Sequence, residues 1–171
     1  RRTDIAELLL NLGMSPDVGD LKGFRALHCA AQSGDVDIAK LLIDRGAEID
    51  PIERNYNSTP LGAANYHGRR ELVALLVPLS RDIRGLCFAG AVDRLGQLLQ
   101  TDRSLASTTT RAGEVPLFAL PDDDERAVEV AELLLAYGAD PSVKNAAGLT
   151  PAEAAKRRGL EDAGVAISAA G

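Results

Sequence analysis

The stretch that decides the fold is Gly23-Phe24-Arg25-Ala26-Leu27-His28-Cys29-Ala30, which recurs 34 residues later as Asn57-Ser58-Thr59-Pro60-Leu61-Gly62-Ala63-Ala64. A glycine closes each stretch at the same offset, at Gly34 and Gly68. The pattern returns near the end of the chain as Gly148-Leu149-Thr150-Pro151-Ala152-Glu153-Ala154-Ala155, closed by Gly159. A fixed period of this length indicates one supersecondary unit that is stacked several times.

A second signature combines a leucine pair with a later glycine. It reads Leu41-Leu42-Ile43-Asp44-Arg45-Gly46-Ala47-Glu48, and it recurs at residues 8–15 and 133–140. The leucines predict an amphipathic helix, and the glycine fits the position just past a helix C-terminus. Each unit is therefore predicted to run turn, helix, tight turn, helix, loop, and stacked neighbours bury the apolar faces that one unit leaves open.

The start of the first helix in a unit is marked by Thr-Pro. Thr59 and Thr150 are predicted N-caps, because a threonine hydroxyl accepts a hydrogen bond from a free backbone N–H of the first turn. Pro60 and Pro151 then occupy the first helical position, where the missing N–H costs nothing. The first full unit has Arg25-Ala26 instead, so its cap is predicted to be weaker.

These features together resemble the ankyrin repeat, and the resemblance covers nearly the whole chain. It implies an all-α solenoid of stacked helix-turn-helix units with short hairpin-like turns. It also implies that His28 tethers neighbouring turns, which we favour over a catalytic role. The abundance of alanine, arginine and glycine resembles that of bacterial members. We expect an elongated, curved monomer.

The resemblance divides residues 1–171 into a single array. The predicted units are a partial repeat at 3–18, full repeats at 20–53 and 54–80, a degenerate unit at 81–110, a fourth unit at 111–144 and a C-terminal cap at 145–167. The degenerate unit is expected to lack its turn, with helices at 81–90 and 91–100 and an exit loop at 101–105. The fourth carries Gly113-Glu114-Val115-Pro116-Leu117 and a long helix–helix loop. The cap is expected to end in a short helix at 161–167 that frays into residues 168–171.

The partial repeat begins at its second helix, from which we infer that upstream residues are missing, cleaved or disordered. Ile5, Leu8, Leu9 and Leu12 fall at helical spacing, and the helix that would cover them is absent. Exposed apolar stripes of this kind are commonly covered by other protein. We therefore expect the N-terminal end to be adhesive.

Composition excludes several function classes. The formal net charge of −6 argues against nucleic acid and mildly favours a neutral or basic protein partner. No apolar run reaches the length of a membrane span, and no signal peptide is evident, so we expect a cytoplasmic protein without a membrane partner. Cys29 and Cys87 are interpreted as small core residues, with a reactive thiol as the alternative.

No group of residues predicts catalysis, a metal ion or a cofactor. His28 and Cys29 are adjacent and would point about 100° apart on a helix, and His67 fits a surface contact better than proton transfer. The acidic run at 122–125 allows a patch for a basic partner or a cation, but we favour a solvated loop beside the next helix N-terminus. We likewise favour a solvated surface for the basic run at 156–158.

The leading hypothesis is a module that binds a protein partner through a concave face formed by turn tips and first helices. The alternative is a regulatory or targeting fragment of a longer enzyme or effector, and a direct enzyme is the third possibility weighed. Because the turn before Arg81 is missing, the continuous part of the face is expected in the two full repeats. The candidate partner-binding residues are Lys22, Phe24, Gln32, Ser33, Tyr56, Ser58, Asn65, Tyr66 and His67, although Phe24 and the tyrosines equally fit a packing role.

Overall fold

The structure is a computed structural model that describes residues 2–109 and 114–171, except for the side chain of Arg2. Among the described residues the regular secondary structure is helical, apart from one isolated β-bridge between Gly19 and Arg25. The α-helices are α1 (Arg2–Asn11), α2 (Ala26–Ser33), α3 (Val36–Asp44), α4 (Pro60–Tyr66), α5 (Arg70–Leu76), α6 (Ile83–Phe88), α7 (Val92–Thr101), α8 (Asp124–Ala136), α9 (Pro151–Arg157) and α10 (Glu161–Ala169). Short 3₁₀ segments lie at Arg103–Ser107 and Pro116–Phe118.

The chain forms two compact units, Arg1–Asp82 (unit 1) and Ile83–Gly171 (unit 2). In unit 1, α2 packs against α3 and α4, α4 packs against α5, and α1 packs against α3. In unit 2, α10 packs against both α8 and α9, and α6 packs against α7. Each unit therefore consists of helices that pack against helices one or two positions away in the chain, as a stacked repeat requires.

The predicted helix starts are confirmed. The hydroxyls of Thr59 and Thr150 accept hydrogen bonds from the backbone N–H groups of Gly62 and Glu153, and a proline follows each threonine at the helix start. Glu153 also accepts from the N–H of Thr150, which completes a capping box. Tight turns follow the expected glycines, and Gly34 has the positive φ of +82° that favours glycine.

Leucine and alanine build the core. In unit 1, Leu27, Leu61 and Leu72 are almost completely buried, and Ala31 and Ala64 are fully buried beside them. Small residues let the neighbouring helices approach closely, so the leucines of one repeat fill the space between two helix pairs. The leucine pairs read from the sequence thus split as expected for a helix face, because Leu42 and Leu76 are buried while Leu41 and Leu75 are only half-buried.

A polar network replaces the turn that is missing before α6. Buried Ser80 donates its hydroxyl to Asp50 at 2.6 Å and accepts the N–H of Asp82 at 3.0 Å. Asp50 also accepts the N–H of Arg81 at 2.7 Å, and Asp82 accepts the hydroxyl of Thr59 at 2.6 Å. The network fixes the chain directly after α5, so that α6 begins without a hairpin-like turn, as the sequence predicted.

Three expectations about the later units were wrong. The first helix of the fourth unit is only the 3₁₀ segment Pro116–Phe118, because Pro121 disfavours helical geometry in the residue before it. Residues 101–105 are not simply a loop, since α7 continues through Thr101 and a 3₁₀ segment follows. The final helix does not fray at 167 but continues to Ala169. Residues 111–113, where we placed the start of the fourth unit, lie outside the described residues.

The two cysteines differ in environment. Cys87 is buried as predicted, but Cys29 is exposed, so the interpretation of Cys29 as a core residue was wrong. It lies on the face of α2 away from the buried side chains of Leu27 and Ala31, and its partial desolvation raises the thiol pKa. Within the described ranges, none of the helices is long and apolar enough to cross a membrane.

Candidate protein-interaction face

The first turn is held by one aspartate. Asp20 Oδ1 accepts the backbone N–H groups of both Lys22 and Phe24 at 2.9 Å, and the carbonyl of Asp20 accepts the N–H of Gly23 at 3.1 Å. The bridge between Gly19 and Arg25 closes the turn. The backbone is thereby satisfied from within, and the side chain of Lys22 remains exposed.

The second turn is one residue longer than the first, and it is held by a glutamate, whose side chain is one methylene longer than that of aspartate. The helix starts at Arg25 and Thr59 are 34 residues apart, whereas the turn-holding acids Asp20 and Glu53 are 33 apart. Glu53, only 1% exposed, accepts three backbone N–H groups, with distances of 2.7 Å from Asn55, 2.7 Å from Tyr56 and 3.3 Å from Ser58. Its extra methylene suits the wider turn, in which Asn57 adopts a positive φ of 52°. The side chain of Tyr56 projects from this turn, 85% exposed.

His28 ties the two turns together. Its Nδ1 accepts the N–H of Arg25 at 3.1 Å, which leaves Nε2 protonated to donate to the carbonyl of Ser58, also at 3.1 Å. The ring is fully buried, and this burial lowers the His28 pKa. A second link is the hydrogen bond from the N–H of Arg54 to the carbonyl of Lys22 at 2.9 Å. The tethering role implied by the family resemblance is confirmed, and a neutral, enclosed imidazole is unsuited to catalysis at the surface.

Two of the candidate partner-binding residues, Phe24 and Ser58, stabilise the turns. Phe24 is half-buried and stacks on the ring of His28, with centroids 5.2 Å apart and planes 25° apart. Ser58 is also half-buried, its carbonyl accepts from both His28 and Glu53, and its hydroxyl donates to Thr59. Both residues therefore hold the turns in place, and little of either is available to a partner.

The other candidates lie at the ends of the two first helices. Gln32 and Ser33 are exposed at the end of α2, and Tyr66, 85% exposed, ends α4 and contacts His67 edge-on at 5.1 Å between centroids. Asn65, beside Tyr66, is half-buried. Arg69 crosses between the two repeats and donates from Nε to the carbonyl of Gln32 at 3.0 Å, so the ends of α2 and α4 are joined, as the turns are.

Sequence reasoning missed four exposed residues of this face. Leu21, at the first turn, is 98% exposed, and Ile52, just before the second, is 59% exposed. Arg54 and Arg69 are exposed cations of the second turn and of the link between α4 and α5. The exposure of Leu21 could have been predicted from the sequence. It lies at the tip of the turn between Asp20 and Gly23, where an apolar side chain cannot pack into the core.

The acidic run at 122–125 and the basic run at 156–158 are joined by an ion pair in unit 2. Arg158 donates to Asp122 at 2.6 Å and to the carbonyl of Leu120 at 2.8 Å. Asp123 caps α8, and Asp124 accepts two backbone N–H groups at the start of α10, both at 3.0 Å. The expectation that the acidic run lies beside the N-terminus of the next helix is confirmed for Asp123, whereas Asp124 binds the start of α10 instead. The solvated surface favoured for the basic run did not include the ion pair between Arg158 and Asp122. Among the described residues, no group of histidine, cysteine or carboxylate side chains could hold a metal ion.

Comparison with known proteins identifies the repeat. A family model described as "Ankyrin repeats (3 copies)" matches residues 1–85. This chain is an ankyrin-repeat protein. It is 26% identical over 182 residues to the putative ankyrin repeat protein YahD of Escherichia coli, spanning 98% of this chain and 90% of YahD. It is also 35% identical over 68 residues to serine/threonine-protein kinase 12 of Arabidopsis thaliana, of which the match covers 15%.

Solved structures show the same fold. An ankyrin repeat domain from Acinetobacter baumannii AYE aligns with a TM-score of 0.63 and 20% identity, over 99% of this chain and 92% of that one. A chain from the complex of a predatory endopeptidase of Bdellovibrio bacteriovorus with its immunity protein aligns with a TM-score of 0.62 and 20% identity, over 96% and 90%. Ankyrin repeats generally mediate protein–protein interaction, and their fold is typically non-catalytic.

Proposed function

We propose that this ankyrin-repeat protein is a protein-interaction module whose binding face comprises the two turn tips and the exposed ends of α2 and α4 in unit 1. The observation that carries the proposal is that Tyr56 and Tyr66 are both 85% exposed although the backbone that bears them is tightly held. Exposed aromatic side chains on a rigid backbone bury a large area at a small entropic cost when a partner binds. Gln32, Ser33 and His67 supply polar groups around them.

Two further observations support this assignment. The turns and the helix ends are each joined across the repeats by hydrogen bonds, so the face is prepared in advance of binding. One solved structure of the same fold comes from a complex between two proteins, an endopeptidase and its immunity protein.

The test uses affinity purification followed by a direct binding measurement. The baits are wild type, a Tyr56→Ala/Tyr66→Ala double variant and Tyr137→Ala. Tyr137 is the third tyrosine of the sequence and lies half-buried in unit 2, so its replacement is a control for loss of a tyrosine outside the face. A partner retained by wild type and the control, but lost from the double variant, is then titrated by calorimetry. Each face tyrosine is expected to contribute on the order of 2 kcal/mol to binding. Equal retention by all three baits contradicts the proposed face.

The second candidate is a regulatory or targeting part of a longer protein. The observation in its favour is that the match covers only 15% of the plant kinase, in which the similar segment is a small part of a larger chain. Sequencing the surrounding reading frame distinguishes the two. An adjacent catalytic domain favours the second candidate, and a frame of similar length to this chain favours a free-standing module.

A further inference from the structure

Charge is unevenly distributed within unit 1. Residues 19–34 and 52–69, which form the turns, the first helices and their links, contain four cationic and two acidic residues, a net charge of +2. The remaining residues of unit 1 contain six cationic and ten acidic residues, a net charge of −4. The proposed face is thus positive, although the whole chain carries a net charge of −6.

One of the two acidic side chains of the face is inaccessible. Glu53 is buried, whereas Asp20 is exposed and accepts the N–H groups of its own turn. In contrast, Lys22 and Arg54 are exposed, form no ion pair with a described residue, and are held side by side by their backbone hydrogen bond. Arg69 is exposed and donates to the carbonyl of Gln32, and it forms no ion pair with a carboxylate among the residues that the structure describes. Arg25 is the fourth cation, and its charge is already neutralised by Asp17 and Glu48.

Apolar side chains lie next to these cations in the chain. Leu21 directly precedes Lys22, and Ile52 and Tyr56 stand two residues to either side of Arg54. All three are more than half exposed, at 98%, 59% and 85%. Most of their apolar area is therefore outside the core of unit 1 and available to a partner.

We infer that the partner presents an acidic segment that also contains apolar or aromatic residues, and that this segment lies across the two turn tips. This inference rests on the proposed function. Carboxylates of the segment pair with Lys22, Arg54 and Arg69, and its apolar residues cover Leu21 and Tyr56. A nucleic acid fits the surface less well, because three cations neutralise few phosphates and the aliphatic side chains between them would stay uncovered.

The experiment selects peptides from a displayed random library on immobilised wild-type protein, and measures the affinity of the selected peptides by fluorescence anisotropy. Peptides rich in acidic and apolar residues are expected, with binding that weakens as salt is raised. Lys22→Glu and Arg54→Glu are each expected to lower affinity on the order of fivefold. Lys40→Glu, the same reversal at an exposed position on α3, is the matched control and leaves affinity unchanged.

The outcomes separate this inference from the proposed function. Peptides that depend on Tyr56 but are neutral or basic, and are indifferent to Lys22→Glu, overturn the acidic class and leave the interaction face intact. Peptides that depend on none of these residues, or no selected peptides at all, overturn both. A mixed-sequence oligonucleotide that binds more tightly than the selected peptides at the same salt concentration overturns the choice of a peptide partner.

Discussion

Replacing His28 tests how the turns are held. His28→Ala removes two hydrogen bonds, from the N–H of Arg25 and to the carbonyl of Ser58, so that the Arg25 N–H loses its acceptor and the Ser58 carbonyl keeps only the N–H of Glu53. It also deletes a fully buried ring that stacks on Phe24. Two hydrogen bonds contribute about 1 kcal/mol each, and the vacated space adds to the loss, so unfolding free energy is expected to fall by about 2–4 kcal/mol.

Two conservative variants divide this loss. In His28→Asn the side chain still reaches the Arg25 N–H but not Ser58, and in His28→Gln it reaches Ser58 in place of Nε2. Each is expected to recover part of the loss, since each restores one of the two hydrogen bonds. Urea denaturation followed by far-ultraviolet circular dichroism measures all four proteins, and the comparison holds where the denaturant slope is unchanged. A loss below about 0.5 kcal/mol in His28→Ala, as is usual for surface positions, refutes the tether.

The pH dependence of stability follows from the same burial. The pKa of His28 lies below its ordinary value of about 6.5, because burial disfavours the imidazolium. Between the two values the unfolded chain binds a proton that the native chain does not, so stability is complete above about pH 6.5 and falls as pH drops through it. His28→Ala is expected to remove this component, whereas His67→Ala, at an exposed position, retains it. Identical pH profiles for wild type and His28→Ala contradict the assignment.

Three further predictions concern stability and association. Ser80→Ala removes a buried hydroxyl that donates to the half-buried carboxylate of Asp50 and accepts the N–H of Asp82, and it is expected to cost about 1–3 kcal/mol in urea denaturation. The control Ser33→Ala, at an exposed position, is expected to cost less than about 0.5 kcal/mol. Leu8→Gln/Leu12→Gln changes side chains that are 57% and 75% exposed, so the melting temperature is expected to stay within a few degrees. Sedimentation is expected to show less self-association, and unaltered association would contradict an adhesive apolar stripe on α1. Gly164→Ala places a Cβ 2.5 Å from a side-chain carbon of α9 and is expected to destabilise unit 2 by about 1 kcal/mol or more, with no change in melting temperature as the opposing result.

The family and the helix positions in most units were predictable because their signals act over one helical turn. Thr59 caps the nearest free N–H groups, Pro60 fits only the start of a helix, and Gly34 permits the left-handed backbone that ends one. None of these effects needs a distant partner. The prediction of a first helix in the fourth unit was wrong, because it rested on the helix-start pattern at Pro116 and did not consider Pro121. That proline prevents a full helix, and only the 3₁₀ segment Pro116–Phe118 forms.

The composition of the face depended on contacts between residues some thirty positions apart. The sequence places Ser58 and Phe24 at turn tips, but only the stacked repeats bring both against His28 and withdraw them from a partner. It also suggests a core role for Cys29, which the packing of α2 leaves exposed. The sequence by itself thus determined the repeat, its caps and its leucine faces, because these arise from local backbone geometry and helical periodicity. Only the tertiary structure decided which turn residues are buried and which cations stay unpaired, since burial and ion pairing are set by the adjacent repeat.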